Sequence, residues 1–335
     1  MKTFYNLLIF IFSMGALAQG SLIKQDDKAL PHSPFDQKRV MFLGDSITRA
    51  GIYFRYIDYY LQKSFPDDKI DIIGLGLGSE TTTGKSEAQH PWPRPNVHER
   101  LDRALELVKP DIVSICYGMN DGLYHPLSQE RFTDYQKGVL SLIEKIKASG
   151  AEVIIMTPPP FDPQSLSSRK TLKPGGADDY SFKTPYENYN DVLAKYGQWI
   201  MTLKIPGVTT IDIHTPIQKH VDEMRTKDSK YTISGDGIHP NALGHQLMAR
   251  SFLKSLNLLN ESKSLAEAEE ARRTDRLCAL INKRTGQRST AWLQYVGYTR
   301  GTETVKTDSI SEAEREAKAL QLEIDKLKKE TLSHK

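Results

Sequence analysis

The chain has 335 residues, 26% of them charged and 39% hydrophobic, with a formal net charge of +3 and a pI near 8.6. So mild a balance gives no argument from bulk charge for recognition of nucleic acid or of an acidic membrane surface. The length exceeds one typical domain, so one main domain with an appendage is the natural division. Two cysteines and nine scattered histidines show no zinc-type spacing, and no metal or other cofactor is indicated.

Residues 1–18 read as a secretory signal. Lys2 gives a positive start, Phe4 to Leu17 is mostly apolar, and Ala16-Leu17-Ala18 supplies small residues before a cut ahead of Gln19. The apolar run is shorter than the about 20 residues of an ordinary span, so an uncleaved anchor is the lesser reading. No cysteine stands at the cut for a lipid. We expect a mature chain secreted or periplasmic, with no stable membrane anchor after signal removal.

Residues 19–37 lead into the main domain, expected over 38–258. Strands are expected at Arg39–Leu43, Ile70–Ile73, Asp111–Tyr117, Glu152–Thr157 and Val208–Ile213. Helical patterns fall between and after them, at Ile52–Ser64, Val97–Val108, Glu130–Ala148, Pro185–Leu203 and Ala242–Leu256. Strands alternating with helices predict an α/β fold, a mostly parallel five-stranded sheet with helices on both faces. The strands are short, β-branched and nearly all apolar, as buried parallel strands are. Cys116 falls in one of them and reads as a free buried thiol, as does Cys278.

Two long loops interrupt the pattern, and loops of this length in a compact domain are usually functional or disordered. The first, Thr83 to Pro95, carries Trp92 among prolines. That ring either stacks on a sugar face or pins its own loop. The second, Pro158 to Thr184, carries Arg169, Lys170, Lys173 and Lys183, which attract an acidic polymer or are simply solvated.

Residues 259–335 form a charged helical extension. One helix is expected at Ser264–Ile281, ending before Arg284-Thr285-Gly286, and another at Ser311–Glu330, opened by a capping box of Ser311 and Glu314. Ile310, Ala313, Ala317, Leu320, Ile324 and Leu327 make a narrow apolar seam. A seam of fewer than three heptads is more often a helix docked on its own domain than a coiled coil between chains, which stays the lesser reading. Trp292, Tyr295, Tyr298 and Arg300 either fold back to wall a site on the main domain or cover the sheet. Asn260-Glu261-Ser262 is a glycosylation sequon where the host glycosylates. The oligomeric state is not readable.

Three short motifs carry chemistry: Gly44-Asp45-Ser46-Ile47-Thr48, Gly118-Met119-Asn120-Asp121 and Asp236-Gly237-Ile238-His239. A serine hydroxyl needs a base within hydrogen-bond reach, and that base needs a partner that fixes its tautomer. Asp236 and His239, three apart, share one face of a turn. The carboxylate can hold one imidazole nitrogen while the other points at Ser46. Ser46 and Asn120 each follow a strand end, and that rim is where open α/β sheets bind ligands. Asp45 is read as ordering the Ser46 turn and Asp121 as shaping its loop. Tyr124 and His125, like Arg49 and Tyr53, lie close enough to the motifs to line the pocket, although packing is the plainer reading for each. There is no Gly-x-Ser-x-Gly elbow, which argues against the α/β-hydrolase fold.

These blocks resemble the SGNH (GDSL-type) hydrolase superfamily, over roughly residues 38–256. The resemblance implies a flavodoxin-like three-layer α/β/α sandwich and an esterase or lipase, acetyl esterases on carbohydrate among them. It implies a triad of Ser46, Asp236 and His239, and an oxyanion hole lined by the Ser46 amide and the Asn120 side chain. The family's second block adds a glycine amide. Here Glu80-Thr81-Thr82 sets Ser79 at that position, and a shift of one gives Gly78. Trp92, Tyr124 and His125 are the candidate substrate contacts. The expected partner is a small-molecule or polysaccharide ester, with a small acyl group favoured because no apolar lid is visible. An acyltransferase using the same triad, or a carbohydrate-binding protein without turnover, are the competing readings.

Overall fold

The computed structural model describes residues 31–333 apart from 168, 170 and 260–262. The expected signal peptide, Lys170 and the sequon lie outside these residues.

The first strand, β1 (Arg39–Gly44), is buried from Val40 onward. It runs straight into a one-turn helix, α1 (Ser46–Ala50), which Asp45 caps and which ends at Gly51 in the left-handed region, φ 71°. Then come α2 (Ile52–Ser64), β2 (Asp71–Gly76), α3 (Leu101–Val108) preceded by a 3₁₀ turn, β3 (Ile112–Cys116), α4 (Gln129–Ala148) and β4 (Glu152–Met156). The rest of the main domain is α5 (Gln164–Ser167), α6 (Tyr189–Thr202), β5 (Val208–Ile211), α7 (His214–Arg225) and α8 (Ala242–Ser255). The strand expected to stop at Ile73 continues to Gly76. Its two glycines admit close neighbours. A Cβ on Gly74 would stand 2.1 Å from the Phe54 ring.

All strand pairs of the main sheet are parallel, in the order β2-β1-β3-β4-β5. This is the flavodoxin-like order. The direction of winding reverses between β1 and β3, and ligands bind at the carboxyl ends beside such a reversal. Gly44 lies in register with Gly76 on one side and Cys116 on the other. The loops carrying Ser46 and Asn120 therefore leave adjacent strands at one rim. Among the described residues no helix is long and apolar enough to cross a membrane.

The extension differs from its expected outline. The first expected helix is two: α9 (Leu265–Thr274) and α10 (Arg276–Val296), broken at the extended Asp275, whose side chain caps α10 through the Leu277 amide. The chain does not stop before Arg284-Thr285-Gly286. Arg284 and Thr285 both bond Asp58, buried on α2, and so carry the helix through. Next comes an unexpected hairpin, β6 (Tyr298–Arg300) with β7 (Glu303–Val305), and then α11 (Ser311–Ser333). Ala317, Leu320 and Ile324 of the seam are buried, and Glu314 of α11 accepts from Arg288 and Trp292 of α10. The seam thus docks within the chain.

α10 runs beside β2, the outer strand. Ser289 Oγ accepts the Gly74 amide at 2.9 Å, and Arg288 pairs with Asp71. An outer strand left bare would present unpaired N–H and C=O groups. Leu277, Ile281, Trp292, Leu293 and Ile324 belong to the same buried cluster as the sheet. Cys116 and Cys278 are free and buried.

Candidate active site

Two glycines let α1 press onto the strand ends. A Cβ on Gly44 would meet Thr48 Oγ1 at 2.2 Å, and one on Gly76 would meet the backbone N of Arg49 at 2.1 Å. Asp45, buried, accepts the Ile47 amide at 2.9 Å and gives α1 its first cap. Burial pushes its carboxyl up to about 7, against the Ile47 hydrogen bond and the charge that His239 carries when protonated. Ser46 therefore opens a helix whose entry is fixed from below.

His239 reaches Ser46 across the rim. Its Nε2 lies 2.8 Å from Ser46 Oγ and its Nδ1 2.7 Å from Asp236 Oδ2. The other Asp236 oxygen accepts the His239 amide (2.7 Å), the Ile238 amide (2.9 Å) and the Ser234 hydroxyl (3.2 Å). The turn is tight at Gly237, φ 77°, where a Cβ would stand 2.8 Å from the Asp162 carbonyl. Burial opposes ionisation of Asp236, but bonds from the His239 ring and amide and from Ile238 outweigh it. They hold the carboxyl well below its usual range. His239 is raised in turn, chiefly by its bond to Asp236. An ionised Asp236 keeps the ring proton on Nδ1, which leaves the Nε2 lone pair facing the serine. The two side chains are 46% and 47% exposed, so the pair opens to solvent rather than to a closed cavity.

Asn120 is buried beside this line. Its Nδ2 donates to the Glu80 carbonyl (3.1 Å) and its Oδ1 accepts from the Tyr124 hydroxyl (2.9 Å). Among the described residues one N–H of that amide has no partner. The second-block turn closes through the Glu80 amide onto the Leu77 carbonyl (3.2 Å), with Ser79 at φ 67°. Among the described residues the amides of Ser46, Gly78 and Ser79 have no backbone acceptor. Beneath the turn, the Glu80 carboxylate is fully buried against Arg100 and the Tyr117 hydroxyl. Asp121 accepts both the amide and the hydroxyl of Thr82 at 2.7 Å, tying the second block to the third, as the loop-shaping reading expects. Burial raises its carboxyl to about 6, against those bonds.

The other candidates divide. Tyr124 is corrected as a substrate contact: it is 1% exposed, with its hydroxyl turned onto Asn120. His125 is half-buried and packs on Tyr180 at 5.0 Å between centroids. Trp92 lies edge-on to His90, whose Nε2 is 3.2 Å from Ser79 Oγ. The Arg300 guanidinium of the C-terminal hairpin sits 4.5 Å from the centre of the Trp92 ring and covers that face. The two long loops interlock through Glu87, which pairs with buried Arg94 and accepts the Phe182 amide. Tyr53 and Arg49 point elsewhere, Tyr53 to Thr48 in the core and Arg49 to Thr290 of α10. Lys173 is paired with Asp179. One group of metal-ligand type appears among the described residues, His32, Asp36 and Asp68, at the opposite, amino-terminal end of the sheet. There Asp68 already accepts from the Ser33 amide and bonds His32. Sequence reasoning missed Tyr117, Arg100 and Ser234, whose spacing carries no signal of the site.

A family model for the GDSL-like lipase/acylhydrolase family matches residues 42–247, a span that holds all three motifs. The chain belongs to this family. Membership of the GDSL family makes it an ester-hydrolysing serine hydrolase. A curated relative, an acetylxylan esterase from Geobacillus stearothermophilus, is 21% identical over 240 residues, 65% of this chain and 94% of the relative. The solved structure of an acetylxylan esterase from that organism covers 68% of this chain and 98% of its own, with 20% identity and a TM-score of 0.45. A gut microbial diltiazem-metabolizing enzyme aligns at 21% identity and a TM-score of 0.51 over 68% of this chain; this chain spans about half of that enzyme, 48%.

Proposed function

We propose that this GDSL-family hydrolase is an exported esterase that removes small acyl groups, acetyl above all, from carbohydrate. The observation that carries the chemistry is the unbroken line Asp236–His239–Ser46 beside amide donors that have no other backbone acceptor. Ser46 Oγ attacks the ester carbonyl while His239 Nε2 takes the hydroxyl proton, and Asp236 holds the ring as it becomes cationic. The tetrahedral oxyanion is held by the Ser46 amide, the free N–H of Asn120 and a turn amide from Gly78 or Ser79. Ser79 sits at a positive φ, a conformation that glycine favours, which is in keeping with its register on the family's glycine. His239 then gives its proton to the leaving alcohol. Water repeats the cycle on the acyl-serine and releases the acid. Such preorganised donors act where charge develops, and losing one typically costs ~10²–10³ in turnover.

The open triad suits a substituent projecting from a polymer. The curated acetylxylan esterase among the relatives supports acetylated sugar as the substrate class. Trp92 keeps one face under Arg300, so any sugar contact comes from its other side. Export rests on Lys2, the apolar run and Ala16-Leu17-Ala18. The test is acetate release from acetylated xylan and from short-chain aryl esters, with Ser46→Ala as the comparison. Release at least about 10⁴-fold slower in the variant is expected, since a triad knockout costs ~10⁶. Equal release by both proteins would end this reading.

A further inference from the structure

We propose that Tyr124 is a positioning residue of the oxyanion site, acting through the amide of Asn120. This rests on the reading of Asn120 as an oxyanion donor. A carboxamide has nearly the same shape when turned over, but the turn exchanges its acceptor for its donors. Turned the wrong way, Asn120 would offer oxygen to a developing negative charge. The observed orientation is set from two sides. The Glu80 carbonyl can only accept and takes one Nδ2 proton at 3.1 Å. The Tyr124 hydroxyl donates to Oδ1 at 2.9 Å, and among the described residues it has no other partner. A hydrogen bond received at Oδ1 also polarises the amide, which makes the remaining N–H a stronger donor.

The backbone shows that the chain is bent to make this contact. Leu123 and Tyr124 are consecutive residues in the left-handed region, φ 54° and 61°. For a bulky side chain that conformation is an outlier, and such strain gathers at functional sites. It is held in place by three backbone bonds: Leu123 N to Asn120 O (3.0 Å), His125 N to Gly122 O (3.1 Å) and Tyr186 N to Tyr124 O (2.9 Å). The ring is clamped between Tyr189, 4.9 Å away, and the Arg94 guanidinium, 5.6 Å away. Phenylalanine would satisfy all of that packing. The hydroxyl is what the strained turn brings back onto a residue four positions earlier.

The experiment is a double-mutant cycle with Tyr124→Phe and Asn120→Ala on an aryl acetate. Tyr124→Phe should lower kcat about tenfold with KM unchanged, a fraction of the ~10²–10³ lost with a whole donor. In the Asn120→Ala background the same change should have no further effect, because the group it acts through is gone. Wild-type kcat in Tyr124→Phe, or the same tenfold factor in both backgrounds, overturns the proposal while leaving Asn120 in place. A Tyr124→Phe protein that does not fold overturns it too, since the hydroxyl would then serve the core. Undiminished kcat in Asn120→Ala removes the oxyanion role itself, and the role of Tyr124 with it.

Discussion

Replacing Asp236 by asparagine should invert the tautomer of His239. One carboxylate oxygen accepts the amides of Ile238 and His239 at 2.9 and 2.7 Å. Those two donors will claim the carboxamide oxygen of an asparagine. Its NH₂ group must then face His239 Nδ1, where the carboxylate now accepts at 2.7 Å. An NH₂ only donates, so Nδ1 must present a lone pair and Nε2 must carry the ring proton, against Ser46 Oγ. The base is blocked by its own hydrogen. In serine proteases this inversion costs ~10⁴ in kcat. Here the pair is nearly half exposed, so water can hydrate a ring that swings away. We expect a loss of ~10³, about 4 kcal/mol at 1.36 kcal/mol per decade. The pH profile should move as well. His239 works as the neutral base, and its bond to Asp236 raises it above 6.5, so wild-type activity should rise with pH through a midpoint above that value. Without the carboxylate the midpoint falls back toward 6.5. The assay is kcat and kcat/KM on para-nitrophenyl acetate across pH, the midpoint being read from kcat/KM, which reports the free enzyme. Asp236→Asn retaining more than about a tenth of wild-type kcat, or an acid limb that stays in place, would refute the argument.

Gly76→Ala places a methyl 2.1 Å from the Arg49 backbone nitrogen and 2.3 Å from the Thr48 carbonyl carbon, so α1 must lift and take Ser46 with it. A misplacement of about 1 Å costs on the order of 10²-fold in kcat, and the melting temperature should fall; steady-state kinetics with thermal unfolding checks both. Ser289→Ala strips the acceptor from the buried Gly74 amide. It should lower the urea midpoint by the equivalent of about 1–3 kcal/mol, with kcat unaltered.

The parallel sheet was legible because its strands are apolar and separated by amphipathic helices; Ile52–Ser64 has the bounds its pattern predicts. The first two motifs were legible because each follows a strand, and β1 and β3 are neighbours in the sheet; the third lies past β5 and α7 and was legible only from its Asp-x-x-His spacing. β2 was cut short in the reading because Gly74 and Gly76 interrupt its apolar run. Both are there for what packs above them, Phe54 and α1, which no local pattern reveals. α7 was missed because few of its residues are buried, Ile217 and Val221 among them, too few for a clear stripe. Arg284-Thr285-Gly286 looked like a helix stop because polarity and glycine punctuate a chain locally. The buried carboxylate of Asp58, more than two hundred residues earlier, overrides that signal. Tyr124 shows the same limit from the other side. Its place beside Asn120 was readable, but whether the ring faced substrate or core depended on a backbone twist that nothing in its neighbours announces.

The order of synthesis gives the α10 contact a further meaning. β2 leaves the ribosome some two hundred residues before Ser289, the residue that caps its Gly74 amide. Throughout that interval the nascent sheet carries an open flank able to recruit a strand from a neighbouring chain. A gene that kept β1 through α8 and stopped there would make that transient flank permanent and yield an adhesive fragment rather than a minimal esterase.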